Sequence, residues 1–133
     1  MAGGHETLLV VEDEAPLRLI LCTALERCGY TILQAASGVA ALEVWREHKD
    51  DIQLLLTDMV MPHGMNGHDL ATRLTAAKPA LKVIYCSSYI ADAASQDLSL
   101  NEGVNFLQKP FNLQTLTKTV RDSLDRINAA AKN

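Results

Sequence analysis

The sequence has few cysteines and no long apolar run. Its three cysteines, Cys22, Cys28 and Cys86, are odd in number and lack paired spacing, so they do not indicate a disulfide framework. We expect them to be buried apolar residues in a reducing compartment. No apolar stretch approaches the roughly 18 residues that cross a bilayer, and no signal peptide is recognisable. The protein is therefore expected to be cytoplasmic, or the cytoplasmic part of a larger protein, without direct membrane contact.

An excess of basic residues is also lacking. Lys and Arg number 12 against 16 Asp and Glu, which gives a net charge of −4 at pH 7. Because nucleic-acid binding uses Lys and Arg to displace counterions, this balance argues against a nucleic-acid surface on this domain. The sequence contains no Walker-type phosphate loop and no evident Ser/His/Asp triad, and its four histidines show no metal-ligand spacing.

The chain has the length of one domain, and short apolar runs alternate along it with segments of helical periodicity. With 133 residues the chain can bury one core. Residues 1–6 are predicted to form a flexible arm, 7–127 the domain, and 128–133 a frayed tail. Short apolar runs of the kind found in buried parallel strands predict five strands. The predicted strands are 7–11, 31–35, 53–57, 82–86 and 104–108.

Segments of helical periodicity separate the strands. Pro16 lies in the first turn of the first helix and Gly29 ends it, while Ser37 and Asn112 are predicted to cap the second and last helices. The third helix ends before Pro79. A short helix is predicted over 91–100. The apolar stripes expected to face inward are Leu17, Ile20, Leu21, Ala24, Leu25 and Cys28; Val39, Leu42 and Trp45; and Leu113, Leu116, Val120, Leu124 and Ile127.

This alternation predicts an open, mostly parallel α/β sheet with helices on both faces, because crossovers between parallel strands are right-handed. In such sheets, sites form beyond the carboxyl ends of the strands. Polar residues that follow the predicted strands should therefore meet at one edge of the sheet. They are Glu12, Asp13, Asp58, Ser87 and Lys109.

These residue types suit a cation and a phosphoryl group. Packed carboxylates repel one another, and oxygen-only ligands suit Mg²⁺. Asp13 and Asp58 are the expected direct ligands, with Glu12 acting through water. Lys109 supplies positive charge and Ser87 a hydroxyl to the phosphoryl oxygens. An ionised aspartate can itself accept a phosphoryl group as an acyl phosphate, without a general base.

Four elements, in this order, resemble the receiver domain of two-component response regulators. They are Glu12-Asp13 after the first strand, Asp58 before Met59-Val60-Met61-Pro62, Ser87 after Val83-Ile84-Tyr85-Cys86, and Lys109-Pro110-Phe111 after the fifth strand. The resemblance implies a (βα)5 flavodoxin-like, doubly wound parallel sheet with strand order 2-1-3-4-5. It also implies phosphorylation of Asp58 by a histidine kinase or a histidine phosphotransfer protein.

The resemblance further implies a metal site for Mg²⁺, or Mn²⁺. Its ligands would be Asp13, Asp58 and the backbone carbonyl of Val60, with Glu12 helping through water.

Four more roles come from the same resemblance. Lys109 would contact the phosphoryl group, and a cis peptide bond would precede Pro110. Ser87 and Phe106 would form the conformational pair. Their change would alter a protein-interaction surface around the fourth helix, the fifth strand and the last helix, and a phosphorylation-dependent dimer is a further expectation.

Two details refine the expectation. The loop Pro62-His63-Gly64-Met65-Asn66-Gly67 is one residue longer than in most receivers, which resembles the receiver modules of hybrid sensor histidine kinases. Val60 and Tyr89 flank the route of an attacking water, and an apolar Val60 beside a bulky Tyr89 predicts slow dephosphorylation.

Two alternatives stay open at this point. The first is an enzyme, a phosphatase or phosphotransferase that works through an aspartyl phosphate. Haloacid-dehalogenase-type enzymes usually have a second acid where this chain has Val60, and they need a cap for which no insertion is large enough. The second is a degenerate receiver that only binds partners, against which the acids and Lys109 argue. The preferred prediction is a phospho-accepting signalling domain that assists its own phosphorylation but is not an enzyme.

Overall fold

The computed structural model describes residues 3–61, 64–87 and 104–126. The predicted helix over 91–100 and the predicted tail over 128–133 lie outside these residues. Strands and helices alternate along most of the described chain. In order they are β1 (Thr7–Val11), α1 (Ala15–Arg27), β2 (Thr31–Ala35), α2 (Gly38–His48), β3 (Ile52–Asp58), α3 (Gly67–Ala77), β4 (Lys82–Ser87), β5 (Phe106–Gln108) and α4 (Leu113–Asp125).

All five strands are parallel and form one sheet in the order β2-β1-β3-β4-β5. The predicted fold class and strand order are therefore confirmed. Strand order reverses between β1 and β3, whose last paired residues are Val11 and Thr57. Because the strands run in the same direction, their carboxyl ends lie along one edge, and the reversal point lies in the middle of that edge.

Each face of the sheet carries its own apolar core. Leu8 and Val10 of β1 pack with α1 and α4, whereas Leu9 and Val11 pack with α2 and α3 on the opposite face. This alternation follows from the strand period of two residues. Each fully buried Leu or Val side chain stabilises the fold by roughly 1.5–3 kcal/mol, so both faces of β1 contribute. The continuous apolar runs of the sequence are explained by burial on both sides.

Three residues of the predicted inward stripes are exposed instead, and Ile127 lies outside the described residues. Ile20 is 52% exposed, whereas Cys22 on the same helix is buried. The buried side of α1 is centred between Leu21 and Leu25, and at about 100° per residue Ile20 lies at its margin. Val39 is 54% exposed because it lies in the first turn of α2, beside the loop after β3. Leu113 is 38% exposed because it begins α4, one turn before Leu116, the first buried residue of that helix. These three inward predictions were wrong.

The predicted helix caps are confirmed. The Ser37 side chain accepts a hydrogen bond from the backbone N–H of Ala40, and Asn112 accepts one from Thr115. None of the three cysteines, all of which the structure describes, forms a disulfide; Cys22 and Cys86 are in the core as predicted, whereas Cys28 is only partly buried. Within the described ranges, none of the helices has the length and apolar character that a membrane span requires.

The last helix is tied to the beginning of β1. The guanidinium of Arg121 binds the Glu6 carboxylate through two hydrogen bonds, of 3.0 Å and 2.6 Å, and also donates to the carbonyl of Gly3 at 3.1 Å. The N–H of Gly4 donates to the carbonyl of Cys28 at 3.0 Å. Residues 3–6 therefore contact both α4 and the end of α1, while the flexibility predicted for residues 1–6 stays a prediction.

Candidate functional site

Three carboxylates meet at the carboxyl edge of the sheet. Glu12 directly follows β1, and Asp58 is the last residue of the neighbouring β3. Carboxylate oxygens of Glu12, Asp13 and Asp58 all lie within 4.8 Å of one another. Glu12 and Asp58 are buried, whereas Asp13 is exposed. The sequence prediction that these three acids share one location agrees with the geometry, and Asp13 forms the open side of the group.

Lys109 lies among the same acids. Its Nζ atom is 2.7 Å from Oδ1 of Asp58 and 2.9 Å from Oε1 of Glu12. The backbone N–H of Lys109 donates to the carbonyl of Ser87 at 2.8 Å, which fixes the end of β5 beside the end of β4. The peptide bond between Lys109 and Pro110 is cis, as expected. One ammonium group therefore bridges the two buried carboxylates.

The pKa values of these groups reflect burial and mutual contact. Burial, followed by the hydrogen bond with Glu12, raises the pKa of Asp58 to about 8, although Lys109 acts in the opposite direction. Burial would also raise the pKa of Glu12, but hydrogen bonds with Asp58, the Glu14 backbone and Lys109 outweigh it, and this pKa is lowered. Similarly, the two carboxylates outweigh burial and raise the pKa of Lys109. A cation at the acids would favour ionised Asp58.

The set of donors fits a hard divalent cation. When all three acids are ionised, their negative charge exceeds the single positive charge of Lys109, whose ammonium contacts Glu12 and Asp58. Every available ligand atom is oxygen, and the exposed Asp13 leaves room for further oxygen ligands from solvent or substrate. Such sets suit cations that keep several water ligands.

The other predicted site residues are Ser87, Phe106, Val60 and Tyr89. Ser87 is the buried last residue of β4, and Phe106 begins β5 with its ring in the core. Phe106 pairs with Tyr85 and packs in the same core as Met59, next to Asp58. Val60 is 62% exposed at the surface of the loop after β3. Tyr89 lies outside the described residues, so its predicted role stays a prediction.

Gly67 is a site residue that the sequence reasoning missed. It begins α3, and its N–H donates to the carbonyl of Met59 at 2.9 Å. A Cβ atom at this position would overlap the carbonyl oxygen of Asp58. The pair Asn66-Gly67, with Asn66 as the N-cap of α3, was the available signal, because glycine at the first position of a capped helix suggests a close backbone approach.

Arg18 was also missed. Its guanidinium donates to the carbonyl of Glu12 at 2.7 Å and to the side-chain oxygen of Gln34 at 3.0 Å. An arginine in an amphipathic helix is normally predicted to be a solvent-exposed surface residue. The only sequence signal was its position one helical turn after the acids.

Comparison with known proteins agrees with the geometry. The sequence model of the response regulator receiver domain matches residues 8–121. Sensor kinase CckA of Brucella abortus (strain 2308) is 39% identical over 124 residues, which are 93% of this chain and 13% of that kinase. Response regulator receiver protein CpdR of the same organism is 35% identical over 117 residues, covering 88% of this chain and 95% of CpdR.

Similarity to a solved structure also supports the family assignment. The receiver domain of hybrid histidine kinase CckA superimposes with a TM-score of 0.75 at 32% identity, covering 90% of this chain and 99% of that domain. The family match, the parallel sheet in the order β2-β1-β3-β4-β5 and the acids at its carboxyl edge agree. This chain belongs to the response regulator receiver domain family and is a receiver domain of two-component systems.

Proposed function

We propose that Asp58 is the phosphoryl acceptor of a two-component phosphorelay and that a phosphohistidine is its donor. One observation carries this proposal: a buried carboxylate of Asp58 lies 2.7 Å from Lys109 and within 4.8 Å of two further acids. A lysine, and a cation that the three acids would hold, are groups that stabilise phosphoryl transfer, because charge spreads over the equatorial oxygens in the transition state.

The reaction is an in-line displacement. An oxygen of the ionised Asp58 carboxylate bonds to phosphorus, while the bond between phosphorus and the donor imidazole nitrogen breaks and its electrons stay on that nitrogen. Lys109 neutralises a phosphoryl oxygen that develops charge. Ser87, at the end of the adjacent strand, donates its hydroxyl to another phosphoryl oxygen. This chain therefore assists the transfer without being an enzyme for a separate substrate.

The proposed metal is Mg²⁺, or Mn²⁺. Asp13, Asp58 and the backbone carbonyl of Val60 would hold it, and Glu12 would act through water. The oxygen-only donors and the uncompensated negative charge of the acids support this choice. When bound, the cation supplies positive charge to the phosphoryl oxygens and favours ionised Asp58.

The donor is proposed to be a histidine kinase or a histidine phosphotransfer protein. Two adjoining apolar grooves beside the site support a protein donor. They share the exposed Ile20 and Leu113, and one of them includes Lys109 while the other includes Leu19. A histidine that reaches Asp58 past Lys109 brings its own protein surface over these grooves. Large apolar side chains exposed next to a reaction site are typical of a docking surface.

The response to phosphorylation is proposed to run through Ser87 and Phe106. Ser87 lies at the acceptor, and the Phe106 ring is buried in the core one strand away. A movement of Ser87 toward the phosphoryl group would free space for Phe106 and change the surface near β5 and α4, with dimerisation or partner binding as the output.

The parent protein is proposed to be a hybrid histidine kinase in the cytoplasm. The 39% identity to CckA supports this reading, although the chain spans only 13% of that kinase. The similarity to CpdR, of which the chain spans 95%, favours a free-standing regulator as the alternative.

Phosphorylation with a small donor tests the acceptor. The chain is incubated with Mg²⁺ and acetyl phosphate, and its mass is measured before and after. We expect a single phosphoryl addition in the wild type, dependent on Mg²⁺, and none in Asp58→Asn. Asp69→Asn, which changes an exposed carboxylate of α3, is the matched control and should be phosphorylated normally. An equal addition to Asp58→Asn would disprove the assignment.

A further inference from the structure

Arg18 reaches from α1 back to the loop that carries the acids. It is the fourth residue of α1 and is partly buried. Its Nη1 atom donates to the backbone carbonyl of Glu12 at 2.7 Å, and its Nε atom donates to Oε1 of Gln34 on β2 at 3.0 Å. Because a guanidinium is planar and rigid, these two bonds fix the acid loop relative to both α1 and β2.

This loop lacks the kind of cap that begins the other described helices. Side chains cap α2, α3 and α4, but Glu14, at the N-cap of α1, makes no side-chain capping bond. The N–H of Glu14 donates instead to Oε2 of Glu12 at 3.0 Å. The Glu12 carboxylate therefore accepts a hydrogen bond from the backbone of the loop, while the backbone carbonyl of Glu12 accepts one from Arg18. The conformation of residues 12–14 depends on both contacts.

The bond to Glu12 also bears on Asp13. A peptide unit is planar, so the carbonyl oxygen of Glu12 lies in one plane with the nitrogen and Cα of Asp13. A hydrogen bond that holds this oxygen therefore also fixes the orientation of the N–Cα bond of Asp13. Asp13 is exposed, yet its carboxylate lies within 4.8 Å of the other two acids. Its approach to Asp58 therefore depends on the orientation of this peptide.

We infer that Arg18 is a positioning residue for cation binding: it holds the Glu12–Asp13 peptide so that the Asp13 carboxylate faces Asp58. This inference rests on the proposed Mg²⁺-dependent function. Charge and position act in opposite directions here. Arg18 is itself a cation near the acids, so removing its charge alone would strengthen Mg²⁺ binding. Releasing the Glu12–Asp13 peptide would weaken Mg²⁺ binding. A higher Kd for Mg²⁺ in an Arg18 variant therefore indicates the loss of position, and a lower Kd indicates the loss of charge.

Mg²⁺ titrations of the isolated chain, followed by NMR on the backbone amides of Asp13 and Asp58, measure this sign. We expect Arg18→Met to raise the Kd for Mg²⁺ about 10-fold, the lower end for residues that orient metal ligands. Arg18→Lys keeps the charge but loses the fork, and should also raise the Kd. Arg27→Met removes an exposed charge from the far end of α1 and should leave it unchanged.

Acetyl phosphate kinetics give a second measurement. For Arg18→Met, the Mg²⁺ concentration at half-maximal phosphorylation should rise in step with the Kd, while the rate at saturating Mg²⁺ stays close to that of the wild type. An unchanged or lower Kd in Arg18→Met would overturn the inference. If that variant does not fold, Arg18→Lys and Gln34→Leu decide, and wild-type Kd values in both would overturn it.

The two proposals fail in different ways. If the wild type binds Mg²⁺ but Asp58 is not phosphorylated, the proposed function fails and the Kd values still judge Arg18. If Asp58 is phosphorylated normally and the Arg18 variants bind Mg²⁺ like the wild type, only the inference fails.

Discussion

The ion pair between Glu6 and Arg121 offers a sharp test of the forces that hold the last helix to the sheet. Hydrogen bonding to Arg121, against an opposing effect of burial, lowers the pKa of Glu6 from 4.5 to about 2. At about 1.36 kcal/mol per pKa unit, the full shift corresponds to about 3 kcal/mol of stability. The side chains are 15% and 21% exposed, so screening is incomplete, and we expect Glu6→Gln to cost about 2 kcal/mol at pH 7.

The cost of Glu6→Gln should depend on pH with a defined sign. A carboxylate whose folded-state pKa is lowered stabilises the protein above its unfolded-state pKa. This stabilisation is fully present above pH 4.5 and is lost as the pH falls through about 2. The difference between wild type and Glu6→Gln should therefore shrink to less than half by about pH 3. Acid effects common to both proteins cancel in this difference.

Urea unfolding, followed by circular dichroism at pH 7, 5, 4 and 3, provides the measurement. Asp125→Asn is the matched control, because Asp125 binds the same Arg121 but its side chain is 64% exposed. Exposed pairs contribute little, so the control should cost about 0.5 kcal/mol or less. Equal costs for the two variants, or a Glu6→Gln cost that is as large at pH 3 as at pH 7, would refute the reasoning.

Three further variants test the site itself. Lys109→Met should slow phosphorylation by acetyl phosphate about 100-fold, since it removes a charge that stabilises the transition state, and a wild-type rate would contradict that role. Gly67→Ala should lower the free energy of unfolding by about 1–3 kcal/mol, because its Cβ meets the carbonyl of Asp58; urea unfolding measures this, and no change would mean that α3 shifts freely. Val60→Asn with Tyr89→Glu should shorten the lifetime of the aspartyl phosphate by admitting water, and an unchanged decay rate by mass spectrometry would exclude screening by these side chains.

The elements that could be predicted are those with a strong local signal. The run at 7–11 matches β1 because its continuous apolar residues leave little choice of boundary, and 31–35 matches β2 because Gly29 ends the helix before it and Ser37 caps the helix after it. The fifth strand is shorter than the predicted 104–108, because residues 104 and 105 form a turn and only Phe106–Gln108 pair with β4. The strand order came from the family resemblance, because spacing alone does not determine which strands are neighbours.

The site residues also divide into those with a clear sequence signal and those without one. Glu12, Asp58 and Lys109 could be predicted as a group because each follows an apolar run, and parallel strands bring such positions to one edge. Arg18 could not, because its partner is a backbone carbonyl whose direction depends on how the chain turns after β1. Gly67 was missed for a similar reason, since its close neighbour is the backbone of Asp58 rather than a side chain. A contact to a backbone atom does not depend on the residue type of the partner, so it is difficult to recognise from the sequence.

The contact between Arg121 and residues 3–6 also has a practical consequence. β1 begins directly after Glu6 and ends directly before Glu12, at the edge where the acids lie, whereas the last turns of α4 carry Arg121, which binds Glu6. Both ends of the described chain therefore leave the domain at the edge of the sheet opposite to the acceptor. A fluorescent protein, a surface tether or a second domain joined directly at residue 3 or residue 126 would start from the edge away from Asp58 and leave its approach open. Donor proteins can thus be assayed on fusions or on immobilised chain without blocking the reaction.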